Sequence, residues 1–523
     1  MTQVQPERPS AADALAEPFT PGAPSNPPEL ADFPETLAGP LPVPLADPKT
    51  RQFVAEWRNT SYNCFSSGHK FCREVCPVTQ VERNESWTPT AFHANVVAME
   101  RGDLGIEDVA ADYVNCTQCG ACELRCPNTL FTGDFYRFRT RTVDVVKAVR
   151  ALAVESGVYQ PNWQIWNERT DLRTHEPVLG ETPVNQEKVR NWAEGLDIPI
   201  GGETVLFVDC EAAFYRTSVP RAVAQMLQMG GYEFGLMEDQ WCCGGPAAEM
   251  GYTDQARRFA RHNLDNWRKT GTRRLLVLDP HDYISFTEDY PKYFGEEFDI
   301  EVVLVIEVLA QLVREGRLTP SVPVDRAITY HDPCRLNKRK GIWQEPRELL
   351  RAIPGLRFED VDRVTQWSYC SGGGGGLPIE KPELTAKISA MRLERAAELD
   401  VDTLISACPW SERPLSEAGD AEDIDVVDLH ELFAQSLGIT VGGSRGDVGD
   451  RRLAQEMVHA MGDRPVVVLR AHGLTSSGSS VQEAVLHAIS VDQIARLSLT
   501  VVSAGGHLRD LPEADLAELP DLG

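Results

Sequence analysis

Apolar positions follow two periods along this chain, and the change of period divides it. Over 89–100 they recur at helical spacing, and 103–113 is acidic with similar apolar spacing, so both stretches read as helices. Residues 134–195 continue as a mostly helical connection that carries Arg and Trp and no readable chemistry. From Glu203 short apolar runs alternate with longer amphipathic stretches. The run at 204–209 (TVLFVD) predicts a buried strand ending at Cys210. A helix over 219–229 follows, closed by Gly230-Gly231. After Gln240-Trp241-Cys242-Cys243-Gly244-Gly245-Pro246 come a helix over 253–269 and a strand over 274–278, which leads into Asp279-Pro280-His281-Asp282. Strands alternating with helices predict a parallel α/β layer.

The unit then recurs. A strand over 328–331 leads to Cys334, Cys370 opens a glycine run to Gly376, a helix covers 383–399, and a strand over 403–406 leads into Cys408-Pro409-Trp410-Ser411. The offsets agree: Cys210 to Cys242 is 32 and Cys334 to Cys370 is 36, while Cys242 to Asp279 is 37 and Cys370 to Cys408 is 38. Loops at the carboxyl ends of parallel strands are where such sheets bind ligands, so each repeat is expected to gather its cysteines at one mouth. The glycine run lacks the Lys-Ser/Thr of a phosphate loop and reads better as a close-approach loop around a cluster.

Composition narrows the class. At 523 residues the chain is long enough for several domains. A formal charge of −27 argues against a nucleic-acid partner. No run of 18 apolar residues exists, so no membrane span is expected. Residues 1–50 hold twelve prolines and no period, which predicts a disordered leader. The 13 cysteines, without a secretory signal, predict a reducing compartment, cytoplasmic, where thiols serve metals.

The chemistry concentrates at NCTQCGACELRCPN, where Cys116, Cys119, Cys122 and Cys126 stand at C-x2-C-x2-C-x3-C before Pro127. In that pattern three close thiolates grip one iron–sulfur cubane and the fourth reaches a second cluster. Structural zinc sites instead pair two C-x2-C halves across a longer gap. An altered copy lies upstream in NCFSSGHKFCREVCPV, with Cys64, Cys72, Cys76 and Pro77. By the usual exchange of the fourth cysteine, one cluster takes Cys116, Cys119, Cys122 and Cys76. The other takes Cys64, Cys72 and Cys126. Its fourth ligand is either His69, which stands where a cysteine is due, or nothing, which would leave a [3Fe–4S] centre. Two [4Fe–4S]-type clusters are therefore expected.

The 39 residues between Cys76 and Cys116 exceed what a small βαβ ferredoxin holds, and their helical reading resembles the α-helical ferredoxin domain of succinate dehydrogenase iron–sulfur subunits. With the duplicated cysteine pattern, residues 50–440 resemble the heterodisulfide reductase D / anaerobic glycerol-3-phosphate dehydrogenase C / glycolate oxidase iron–sulfur subunit superfamily. The resemblance implies an electron-transfer subunit working with a flavoprotein dehydrogenase and a quinone or other acceptor. A membrane quinone-reactive partner would hold it at the inner face of the membrane. It also implies five-cysteine sites for heterodisulfide cleavage, and here the chain departs. The first repeat keeps Cys210, Cys242 and Cys243 but has Asp279 and Asp282 for the last pair; the second keeps Cys334, Cys370 and Cys408 but has Ser371 and Ser411. Three thiolates with a carboxylate, a serine or His281 could still hold one or two further clusters; otherwise the pockets are inherited and bind no metal. A heterodisulfide or thiol reductase is the alternative function.

Beyond Gly443 a further helix, a strand over 466–469, Arg470-Ala471-His472-Gly473 and a helix capped by Ser480 resemble the carboxyl-terminal piece of class II aldolase/adducin domains. There a His-Gly after a strand supplies one divalent-metal ligand. His472 would be a vestigial one, because no His-x-His stands upstream, so a working aldolase is not expected and a packing or oligomerisation appendage is. The expected fold class is multidomain α and α/β. Its expected parts are the leader 1–50, the two-cluster domain 51–150, a helical connector 151–200, cysteine-rich repeats 201–318 and 325–440, and a short α/β tail 443–515.

Overall fold

The computed structural model describes residues 48–66, 68–127, 140–170, 190–422, 424–440, 466–469, 473–476 and 485–491. Most of the expected leader lies outside them. Its last three residues, however, belong to the first helix, Pro48–Ser66. Pro48 can open a helix because the first-turn amide it lacks has no partner there anyway.

That helix packs with Pro89–Arg101, Ile106–Tyr113 and Thr142–Glu155 around Phe53, Trp57, Phe92, Val96, Met99, Val109, Tyr113, Val145, Val149 and Leu152. The spacing of three and four residues within each segment is what one helical face buries. Thr88 accepts from the Ala91 amide and Gly102, at φ 76°, closes the second helix, so both of its ends are capped. His93 is fully buried between Ser61 Oγ (3.2 Å) and Thr142 Oγ1 (3.0 Å). Burial holds its imidazole down at about 3. The unfolded chain therefore binds a proton that the folded chain refuses. Stability is full above about 6.5 and falls by about 1.4 kcal/mol per pH unit as pH drops toward 3. His93→Gln is expected to flatten the pH dependence of the urea midpoint below about pH 6.5.

The two repeats build two parallel sheets of one design. The first runs β2 (Gly235–Leu236), β1 (Thr204–Phe207), β3 (Arg274–Val277), β4 (Glu301–Leu304); the second runs β6 (Arg357–Phe358), β5 (Ala327–Tyr330), β7 (Thr403–Ser406), β8 (Asp425–Asp428). The sequence reading found β1, β3, β5 and β7; the other four are two-residue edges or amphipathic runs that look like loop. Alternation along the strands divides the core. Leu206, Val208, Leu276 and Leu278 face a core shared with Ile328, Tyr330 and Ile405 of the second sheet. Val205, Phe207, Leu275 and Val277 face Trp267, Phe286 and Tyr290 on the outer side. Sharing a core brings the carboxyl ends of both sheets to one region.

The chain divides into two units, Met1–Ser444 and Arg445–Gly523. In the second unit β9 (Val466–Leu469) pairs antiparallel with β10 (Gly473–Ser476), and residues 485–491 are helical. His472 and Ser480 lie outside the described residues. Among those described, no helix is long and apolar enough to cross a membrane.

Candidate metal centres

Both Cys-Pro steps take the same backbone. Cys76 sits at φ −74°, ψ 115° and Cys126 at φ −70°, ψ 121°, because a following proline drives its predecessor into the extended region. Each thiol therefore leaves its own loop, as the exchange of fourth ligands requires. Cys76, Cys116, Cys119 and Cys122 come together. Burial pushes Cys76 up to about 11 and Cys116 to about 12, and Cys122 rises well above the usual thiol range from burial, Glu123 and the three neighbouring sulfurs. Thiols packed this way ionise when a metal takes their protons' place. Gln118 at φ 55° and Gly120 at φ 76° wind the loop tightly enough to do this, and the Gln118 amide donates to Cys116 Sγ at 3.3 Å.

Cys64, Cys72, Cys126 and His69 form the second group. Burial and the sulfurs of Cys72 and Cys126 push Cys64 up to about 12. His69 Nε2 lies 3.8 Å from Cys126 Sγ, and the ring stacks on Phe71 at 5.7 Å. Its Nδ1 is buried without a hydrogen-bond partner. Three thiols and one imidazole thus lie in one neighbourhood, and such a donor set suits an iron–sulfur cluster.

The repeats behave differently from one another. In the first, Cys210, Cys242 and Cys243 line a small cavity with Asp209, Asp282, His281 and Trp410. Burial, the Cys243 thiolate and the neighbouring carboxylates push Asp282 well up. In the second, Ser371 Oγ and Ser411 Oγ hydrogen-bond to each other at 3.0 Å, so the two positions that lost cysteine satisfy one another. The second repeat's cysteines also meet groups outside that repeat. Cys370 shares a buried cluster with Cys119 and donates to Thr117 Oγ1 at 3.7 Å, and its nearness holds the Cys119 thiol below the usual range against the opposing burial. Cys408 reaches Asp279 Oδ2 at 3.7 Å and His281 Nδ1 at 3.9 Å of the first repeat. Spacing within a repeat carries no information about such cross-repeat contacts.

A buried junction explains why Cys119 meets the second repeat. Arg150, in the connection where the sequence showed no chemistry, is fully buried. It donates to the carbonyls of Tyr113 (2.8 Å), Val114 (3.2 Å) and Cys116 (2.9 Å) in the helical domain, Glu249 (2.8 Å) in the first repeat and Gly375 (2.7 Å) in the second. Glu249 in turn pairs with Arg335 and accepts from the Gly375 amide at 3.0 Å, while its carbonyl also accepts from Gln118 at 2.8 Å. The glycine run presses against the cysteine loop: a Cβ on Gly375 would collide with the Cys116 carbonyl, and one on Gly374 would lie 2.7 Å from that of Thr117. Close approach, not phosphate binding, is what these glycines permit here.

Comparisons with known proteins match three domain models. A 4Fe-4S dicluster domain model matches residues 60–130, and a Cysteine-rich domain model matches 204–286 and 328–410. A Class II Aldolase and Adducin N-terminal domain model matches 421–499, overlapping β8 and the helix Leu429–Ser436, which the structure builds into the second repeat. The D polypeptide of the dihydromethanophenazine:CoB--CoM heterodisulfide reductase of Methanosarcina mazei is 30% identical over 341 residues, 64% of this chain and 80% of that protein. The probable iron-sulfur-binding oxidoreductase FadF of Bacillus subtilis is 30% identical over 62% of this chain and 46% of its own length. The EtfAB:quinone oxidoreductase of Syntrophomonas wolfei is 28% identical over 45% and 34% respectively.

Proposed function

From the premise that this chain belongs to the heterodisulfide reductase D family, we propose that it is the iron–sulfur electron-transfer subunit of an oxidoreductase complex. Cys76, Cys116, Cys119 and Cys122 hold one [4Fe–4S] cluster, and Cys64, Cys72, Cys126 and His69 hold the second. When bound, the clusters supply one-electron storage at potentials set by their ligands and surroundings. The chain's own residues fix the route. The observation that carries this reading is the double position of Cys119, which belongs to the first thiol group and lies in one buried cluster with Cys370, against which Cys334 of the second repeat also packs. That cluster would carry a path from the helical domain into the second repeat.

The name EtfAB:quinone oxidoreductase of one relative supports a redox partner and a quinone as acceptor, and a flavoprotein dehydrogenase would be the donor. A cytoplasmic protein held to the membrane face by its partner accords with this arrangement. The paired hydroxyls of Ser371 and Ser411, with carboxylates at Asp279 and Asp282, argue against disulfide cleavage by the chain itself.

The test is a reoxidation assay on dithionite-reduced, anaerobically purified protein. Rapid oxidation by a water-soluble quinone with no cleavage of a mixed disulfide is the expected result. Disulfide cleavage at a comparable rate would favour the reductase instead.

A further inference from the structure

Asp279, His281 and Cys408 form a buried group across the interface of the two repeats. Asp279 and Cys408 are the corresponding residues of their repeats, each following the second long strand and preceding a proline. The shared core brings these two loops face to face. Cys408 Sγ lies 3.7 Å from Asp279 Oδ2 and 3.9 Å from His281 Nδ1, and that nitrogen lies 3.4 Å from Asp279 Oδ1. Metal–ligand bonds of about 2.0–2.3 Å in a tetrahedron put neighbouring ligand atoms about 3.3–3.8 Å apart. The three groups therefore stand at the separations one metal ion needs.

We propose that Asp279, His281 and Cys408 bind a single divalent transition metal of the zinc class, separate from any iron–sulfur cluster, which fastens the first repeat to the second. The donor set of one thiolate, one imidazole and one carboxylate suits zinc or cobalt(II), and three protein ligands leave the fourth tetrahedral position for water. Asp279 is already oriented for the task. Its Oδ1 accepts from the His281 amide at 2.6 Å and the Asp282 amide at 3.3 Å, which leaves Oδ2 turned to the sulfur. The surroundings call for positive charge. Asp209 and Asp282 each bury a carboxylate oxygen without a hydrogen-bond partner close to this group. The buried guanidinium of Arg335, which feels the charge of Cys408, is committed to Glu249. A dication entering this group would favour the ionised form of those carboxyls and displace the protons that burial keeps on them.

Metal analysis of the anaerobically purified full chain, after passage over a mild chelator, tests this directly. About one zinc per chain is expected, falling to below about a tenth in Cys408→Ser and in His281→Ala while iron and sulfide stay constant. Reconstitution with cobalt(II) should give a thiolate-to-cobalt charge-transfer band that Cys408→Ser lacks. Far-UV circular dichroism and the EPR of the helical domain's clusters show whether each variant has folded, and Asp279→Asn gives a third, isosteric substitution. Joint loss of iron and sulfide from Cys408→Ser would make Cys408 a cluster ligand and overturn the proposal. Zinc that is substoichiometric, or that ignores all three substitutions, would overturn it as well. Neither result bears on the electron-transfer reading, which the quinone assay judges separately.

Discussion

Anaerobically purified protein is expected to carry about eight irons and eight acid-labile sulfides per chain, and Cys122→Ala about half of each. Cys122 lies beside Glu123 and the sulfurs of Cys76, Cys116 and Cys119. Its loss should therefore remove one cubane and leave the group at Cys64, Cys72, Cys126 and His69 intact. Twelve to sixteen irons would place clusters in the repeats. The three buried carboxylates Asp209, Asp279 and Asp282 around the first repeat's thiols, and the closed Ser371–Ser411 pair in the second, argue for the lower number. EPR resolves the remaining ligand. A [3Fe–4S] signal in the oxidised wild type would remove His69 from the set. Its absence in wild type and appearance in His69→Ala would assign the imidazole to the fourth iron. Zinc without sulfide would end the electron-transfer reading altogether.

Arg150→Met is expected to destabilise the protein by at least about 3 kcal/mol, because it takes a donor from five buried carbonyl groups, of which only that of Glu249 keeps another in Gln118, and each unsatisfied acceptor costs about 1–3 kcal/mol before relaxation. All five N–H donors of the guanidinium are engaged, and the group stacks on Trp163 at 4.6 Å. Arg150→Lys should recover little of this, since an ammonium has three donors and no planar fork to span three domains. Chemical denaturation gives the stability. A second readout separates the junction from simple packing. Arg150 is a buried cation bonded at 2.9 Å to the carbonyl of Cys116, so its loss should lower the midpoint potential of the cluster held beside it. A stability loss with an unshifted potential would make Arg150 a structural tie only.

Much of this architecture was readable from one sequence, and the parts that were not share a cause. The strands at 204–207, 274–277, 327–330 and 403–406 announced themselves as short buried runs, and the C-x2-C-x2-C-x3-C-P pattern needs only local geometry to be understood. Contacts between segments far apart in sequence left no periodic trace. Arg150 looks like any basic residue on an amphipathic helix until the carbonyls of Glu249 and Gly375 close over it. Glu249, in GGPAAEM, has no motif to mark it. The duplication showed that Asp279 and Cys408 correspond, but only the shared core showed that they touch. Serine at 371 and 411 read as lost ligands one at a time; as a hydrogen-bonded pair they read as a site that has been closed.

The contact between the glycine loop and the cysteine loop has a consequence for how the protein is made. Gly374 and Gly375 lie against the Cys116–Thr117 backbone, so part of the surroundings of the first thiol group comes from a segment far along the chain. Synthesis from the amino terminus delivers residues 48–170 well ahead of residue 370. A cluster inserted during translation would therefore meet a cysteine loop still free of that contact, whereas one inserted afterwards would meet it already held.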